Sequence, residues 1–286
     1  MPEADKSVPS KPLCAYCGGL GPLTKEHIFP KFLYRQVPTH KTGYSARANR
    51  FMTWEAQVRD VCEDCNNGPL SALDGYARRF LTALHCERTY AESQQLVITY
   101  DYLLLLRWLL KVSYNAARAL SQTPHLLKEA VPFIRDGQTS PPAVAFLAVE
   151  VVRDAPLTAD ARGELPEEAR GWSHIPSKMF RVGPGVLYEP RSPTPHAHHC
   201  MRFVAINSWY FTFCLVGAST DRPARRRLLS SHRGFVPDAV VLSRQQSTAT
   251  LSVSRRTVID LYAFQGMRVQ DQWREYAKQA FPKRAI

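Results

Sequence analysis

From Leu70 the apolar residues recur at steps of three and four. Leu73, Tyr76, Ala77, Phe80, Leu81 and Leu84 follow in turn, which predicts an amphipathic helix opening near Pro69. Proline suits a first helical turn, where its φ is already helical and its missing N–H had no partner to lose. A second helix is predicted over 101–121, nearly all apolar through Leu110 and amphipathic after it, a pattern that belongs in a core. Strand periodicity appears elsewhere. Gln57-Val58-Arg59-Asp60-Val61 alternates, and Leu23-Thr24 sits in or beside a short strand that carries Glu26-His27 and ends at Pro30. Residues 143–152 read as a strand, and 202–206 with 209–216 read as a hairpin turning through Asn207-Ser208. Further strands are predicted at 239–242 and 251–264, and a terminal helix at 271–281. Trp108, Trp209 and Trp273 fall in apolar patterns and are predicted to be core.

The intervening segments divide the chain. Residues 1–12, with three prolines, read as a mobile tail. Pro132, Gly137, Pro141 and Pro142 mark 131–143 as a break between helical and strand-rich parts, and 153–175 read as a polar surface excursion. The expected fold class is α+β: a small N-terminal module over 13–92, then a larger mixed domain of helices and antiparallel sheet over 93–286.

A length of 286 residues allows two domains with cores of their own, and 45% apolar with 22% charged residues is the balance of a globular chain. The net charge of +12 suits a polyanion such as nucleic acid or an anionic surface, or else serves solubility alone. Most of the excess lies beyond residue 90. The N-terminus lacks the pattern of a secretory signal, and the most apolar run, 102–110, is too short to span a bilayer and contains Arg107. A cytoplasmic protein with reduced cysteines and no membrane partner is therefore expected.

That changes the meaning of the seven cysteines. Cys14-x-x-Cys17 and Cys62-x-x-Cys65 form two pairs with 44 residues between them, each able to offer two thiolates from one tight turn. Four such ligands close a tetrahedral zinc, a structural site. Gly18-Gly19 permits the knuckle turn, with backbone N–H groups aimed at sulfur. Cys86, Cys200 and Cys214 remain as structural thiols.

Between the pairs stands Glu26-His27, and Asn66 follows Cys65 directly. A neutral imidazole can take a proton from water at working pH. Glu26, on the opposite face of the same strand, and Asn66 offer hard oxygens that suit Mg²⁺, Mn²⁺ or Ca²⁺ rather than a second zinc. The alternative is that His27 packs against the zinc module and Glu26 faces solvent. Residues 31–58 mix Phe32, Tyr34, Tyr44, Phe51 and Trp54 with Lys31, Arg35, Lys41, Arg47 and Arg50. That mixture suits phosphate contact and base stacking, or an ordinary packed loop. Arg222, Arg225-Arg226-Arg227 and Arg233 form the densest basic patch, suited to a DNA backbone or simply a solvated loop between strands. His196-Ala197-His198-His199-Cys200 is rich in ligands, yet adjacent histidines cannot easily all face one ion.

The order Cys-x-x-Cys, Thr-x-Glu-His-Ile-x-Pro, Cys-x-x-Cys-Asn-Asn, with Asp74 further along the helix, resembles the HNH endonuclease superfamily over roughly residues 14–75. The likeness is to its zinc-bound ββα-metal variety, with Glu-His as the dipeptide. The resemblance implies that His27 is the general base, that Glu26 and Asn66 hold a catalytic Mg²⁺ or Mn²⁺, and that Cys14, Cys17, Cys62 and Cys65 hold structural zinc. Asn67 and Asp74 match positions often occupied in this subgroup and are further candidates for the divalent ion. One departure concerns the middle Asn, which tethers the loop that orients the base. Gln57 stands near its place, and Asn49 is too far upstream. The implied reaction is DNA phosphodiester hydrolysis, with Lys25, Lys31, Arg35, Arg225, Arg226 and Arg227 as candidate phosphate contacts. One site cuts one strand, so a double-strand break needs a homodimer or sequential nicks. Stand-alone proteins of this kind are often linked to anti-phage defence, and the C-terminal domain is expected to bind DNA, a partner subunit or an activating ligand. The competing classes are a non-catalytic zinc module that binds nucleic acid and an RNA-directed nuclease.

Overall fold

A computed structural model describes residues 12–36, 42–45, 50–53, 56–86, 88, 90–121, 123–153, 155–156, 174–175, 180–185 and 199–257. The N-terminal part is built on two short antiparallel strands, β1 (Leu23–His27) and β4 (Gln57–Cys62), the second of which is the segment that alternation predicts. Their register pairs Leu23 with Cys62 and His27 with Gln57, with a bulge between Thr24 and Glu26. Between them lie helix α1 (Lys31–Gln36) and a small hairpin of β2 (Thr42–Ser45) and β3 (Arg50–Thr53). β4 runs into one helical turn, α2 (Glu63–Cys65), then a wide turn over Asn66–Leu70, then α3 (Ser71–Ala83). Gly68 breaks the helical path at φ −91° and ψ −105°, and Pro69 follows within the same turn. The stripe of Leu70, Leu73, Ala77, Phe80 and Leu81 is buried, as its spacing requires.

Helix α4 (Tyr102–Ala119) begins at Asp101, whose side chain accepts from the Leu104 N–H at 2.9 Å. It packs on α3 and β4 on one side and on the main sheet on the other. That sheet has the order β5 (Gln95–Thr99), β13 (Thr248–Thr257), β6 (Val144–Arg153), β11 (Trp209–Val216), β10 (His199–Ile206), β9 (Phe180–Pro184), with β12 (Val240–Val241) also on β6. All pairings are antiparallel except β13 on β6. A two-strand pairing joins β7 (Ala155–Pro156) and β8 (His174–Ile175). The predicted hairpin is β10–β11, turning through Asn207 at φ 52°.

Two expectations give way here. Residues 131–143 do not simply break: α5 (His125–Glu129) leads into α6 (Val131–Asp136). Pro132 occupies the first turn of α6, where it is tolerated, and Gly137 closes the helix at φ 67°. The arginine-rich segment is no loop. It forms α7 (Arg222–Phe235), started by Asp221, whose carboxylate accepts from the Ala224 N–H at 2.7 Å. Trp108 and Trp209 are buried. The expected helix at 271–281, Trp273, Asn49, His196, His198, residues 1–11 and most of 153–175 lie outside the described residues.

Alternate residues of the main sheet face two layers. Leu147, Val149, Phe211, Phe213 and Val204 join one continuous core that also holds Cys14, Leu33, Val61, Leu73 and Trp108. That core runs across the expected boundary at 92/93. Phe146, Ala148, Met201, Cys214 and Leu228 form the second layer, under α7.

Candidate metal centre and adjoining polar site

The two Cys-x-x-Cys turns meet because β1 and β4 are paired. Cys14 and Cys17 flank a tight turn, where the Gly18 N–H donates to the Cys14 carbonyl at 2.9 Å and Gly18 takes φ 69°. The Ala15 N–H donates to the Asp60 carbonyl at 2.8 Å, which ties that turn to β4 just ahead of Cys62. The four Sγ atoms of Cys14, Cys17, Cys62 and Cys65 lie within 4.8 Å of one another, and those of Cys17 and Cys62 are 3.7 Å apart. Tetrahedral zinc with Zn–S of about 2.3 Å places its sulfurs about 3.8 Å apart, so the four cysteines can hold a metal such as zinc. Backbone N–H groups already point at sulfur: Cys62 to Cys14 at 3.3 Å, Tyr16 to Cys14 at 3.5 Å, Gly19 to Cys17 at 3.4 Å.

The thiols of Cys14 and Cys65 are pushed in opposite directions. Burial pushes the Cys14 thiol up, but the N–H donors of Cys62, Cys17 and Tyr16 outweigh it and bring it down to about 6. Cys65 is pushed far up, by burial first and then by the neighbouring thiols. One thiolate keeps the next protonated, and a divalent ion removes that conflict. Among the described residues this is the one group of three or more His, Cys, Asp or Glu donors close enough to share an ion.

Beside the cluster, β1 delivers Glu26 and His27 in opposite directions. His27 is half-buried. Its Nε2 meets Gln57 Nε2 at 2.9 Å, a contact between residues directly opposite in the β1–β4 register. Its carbonyl accepts from Asn115 Nδ2 at 3.3 Å, and its ring centre lies 6.0 Å from that of Tyr34. Asn115, buried on α4, also accepts: its Oδ1 takes hydrogen bonds from the Tyr16 hydroxyl at 2.7 Å and from Arg118 Nη2 at 2.7 Å. One amide thus joins the first knuckle to the strand end that carries His27.

Asn66 reaches the same strand from the other side. Its Nδ2 donates to Thr24 Oγ1 at 2.8 Å and to the Lys25 carbonyl at 3.1 Å. Thr24 Oγ1 in turn donates to the Val61 carbonyl at 3.0 Å. With both N–H groups of the amide committed, its oxygen is the acceptor left for a ligand, the donor type a hard cation takes. Asn67 instead donates to Glu63 Oε1 at 3.4 Å, on the exposed side of the turn.

Glu26 differs from the solvent-facing or open carboxylate that its sequence position suggests. It is buried, and its Oε1 lies 2.5 Å from Lys111 Nζ, in an ion contact without hydrogen-bond alignment. The same ammonium donates to Asp74 Oδ1 at 2.6 Å. Burial pushes the Glu26 carboxyl up against the opposing pull of Lys111. Burial also pushes Lys111 down, but Asp74 and Glu26 outweigh it and raise it, so the ammonium keeps its proton. Glu26 and the Asn66 oxygen are hard donors of the type that a divalent ion takes, and Glu26 is already engaged by Lys111.

Lys25, Lys31 and Arg35 are exposed near β1 and α1. Arg226 and Arg227 are exposed on α7, while Arg225 is partly buried and donates from Nε to the Thr220 carbonyl at 3.1 Å. α7 covers the sheet layer opposite α4, so the two basic groups are not brought together. His199 and Cys200 lie on β10. Sequence periodicity passed over Lys111, Asn115 and Arg118. Their signal was present as polar residues spaced along a helix otherwise apolar enough for a core. No protein-family model, curated protein or solved structure matches the chain.

Proposed function

We propose that this chain is an endonuclease of the HNH type that hydrolyses DNA phosphodiester bonds from a site framed by a structural zinc on Cys14, Cys17, Cys62 and Cys65. The observation that carries the reading is the double hydrogen bond from Asn66 to Thr24 and Lys25. It fastens the residue after the last cysteine to the strand that carries Glu26 and His27. Glu26 and the Asn66 oxygen would hold Mg²⁺ or Mn²⁺, which would supply Lewis-acid stabilisation of the charge that builds up at the phosphate. His27 takes the proton of the attacking water at Nδ1. That role needs the proton on Nε2, with the Gln57 amide oxygen as its acceptor; amide oxygen and nitrogen are interchangeable in such a contact. Gln57 holds the ring, and Asn115 holds the backbone at its base, in place of the loop tether that the middle Asn of the motif supplies. Lys25, Lys31 and Arg35 line the approach for phosphate, and a double-strand break follows from a homodimer or from two successive nicks. Asn67 and Asp74 are secondary ligand candidates, since one is engaged with Glu63 and the other with Lys111.

Incubation of supercoiled plasmid, labelled DNA and labelled RNA with the purified chain tests this reading. DNA nicking that requires Mg²⁺ or Mn²⁺ is expected. One observation favours a second reading: Lys111 already neutralises Glu26, as suits a non-catalytic zinc module that binds nucleic acid. That reading expects DNA retention and no cleavage under any divalent ion.

A further inference from the structure

Lys111 is wholly buried on α4, a helix outside the stretch that carries the cysteines, Glu26, His27 and Asn66, and its ammonium sits between two carboxylates at 2.5 Å and 2.6 Å. Such placement is demanding, because a buried ammonium is strongly disfavoured unless paired. The two acids come from different elements, Glu26 from β1 and Asp74 from α3, and no nearer partner is needed to keep the lysine charged. The triad carries one positive and two negative charges, so a single negative charge is left to share with any incoming cation. A buried ammonium also cannot swing into solvent to make way.

We propose that Lys111 is a tethered cation that occupies the Glu26–Asp74 pair and weakens the site's hold on a divalent ion. This inference rests on the reading of Glu26 as a ligand of that ion. Glu26 then serves two cations at once, and the fixed one repels the mobile one across a carboxylate in a poorly screened interior. Lys111 is a positioning residue: with no exposed surface, it acts through Glu26 and Asp74. Because α4 also packs on β9 and β10, the position of this ammonium links the site to the main sheet.

The test is Mn²⁺ binding to the full-length, zinc-loaded chain, followed by the loss of the free-ion electron paramagnetic resonance signal. Lys111→Met keeps the length of the side chain and removes its charge. The proposal expects this variant to bind Mn²⁺ at least tenfold tighter than wild type, with the gain lost in Lys111→Met/Glu26→Gln. Should Lys111→Met alone fail to fold, Lys111→Met/Asp74→Asn, which removes one charge of each sign, is compared with Asp74→Asn, and the same tenfold gain is expected. Unchanged or weaker binding in the folded variant, or no Mn²⁺ binding in any of these proteins, overturns the proposal. Plasmid nicking is scored separately. A tighter Mn²⁺ site without cleavage in any variant removes the nuclease reading and leaves the role of Lys111 standing; wild-type nicking with no gain in Lys111→Met does the reverse.

Discussion

His27 and Gln57 stand directly opposite each other on paired strands, and their side chains meet at 2.9 Å. The imidazole is held from the ring side by this amide and from the backbone side by Asn115. On the proposed reading, a base so held would lose little orientational freedom on binding substrate, which is what proximity effects require.

Gln57→Leu removes the hydrogen bond while keeping the strand. The expected result is a fall in plasmid nicking rate of about 10–100-fold, the usual effect of losing a group that orients an active-site side chain. Zinc content and the substrate concentration for half-maximal rate stay near wild type. Gln57→Glu, which still accepts from an imidazole N–H, recovers part of the rate. A rate unaffected by Gln57→Leu contradicts this role.

Asn115→Ala leaves the Tyr16 hydroxyl and the His27 carbonyl without their buried partner. A loss of stability of about 2 kcal/mol is expected from unsatisfied groups of this kind. Urea unfolding measures it, and nicking by the protein that remains folded falls as well. Unchanged stability would show that the amide is dispensable.

How much of this was legible beforehand depended on distance along the chain. β4, α3 and α4 follow from periodicity, β1 from the turn and proline signals around it, and the cysteine pairs from spacing, because those signals are local. α6 was hidden by Pro132 and Gly137, residues that read as breakers yet sit at the two ends of the helix, where helices accept them. α7 was hidden by its charge, since only a narrow stripe including Leu228 and His232 is buried. The contact between Gln57 and His27 needs the β1–β4 register, which a bulge shifts. Lys111 needs more still: nothing local distinguishes a lysine that reaches Glu26 and Asp74 from one that reaches water.

Purified chain is expected to carry about one zinc, measured by mass spectrometry of the metal content. Cys62→Ser should release it and lower the unfolding midpoint sharply, since structural zinc sites contribute about 10–16 kcal/mol of binding free energy. Cys86→Ser and Cys200→Ser, at thiols away from the cluster, should leave zinc content unchanged. Full zinc content in Cys62→Ser contradicts the four-cysteine site.

His232 gives the fold a pH dependence of its own. It is buried on the inner face of α7, with Nε2 at 2.8 Å from Thr212 Oγ1 and its ring centre 4.4 Å from that of Phe146 at a tilt of 38°. Burial, then the charges of Arg256 and Arg233, lower it to about 4. The folded state thus binds a proton less readily than the unfolded chain, so its contribution is full above about pH 6.5 and is lost as pH falls towards 4. The loss amounts to about 3 kcal/mol. Unfolding at pH 7 and pH 4 should show it in wild type, with a shallower slope in His232→Leu. Equal slopes in the two proteins would contradict the assignment.

The central claim is that His27 acts on water while the cysteines only frame it. The most direct measurement sets wild type beside His27→Ala on supercoiled plasmid with Mn²⁺, with zinc content and DNA retention recorded on the same preparations. The account predicts nicking by wild type, and in His27→Ala a loss of at least about 100-fold with zinc and DNA binding intact, the scale of removing a general base. Nicking at the wild-type rate by His27→Ala, or no nicking by either protein under any divalent ion, would contradict it.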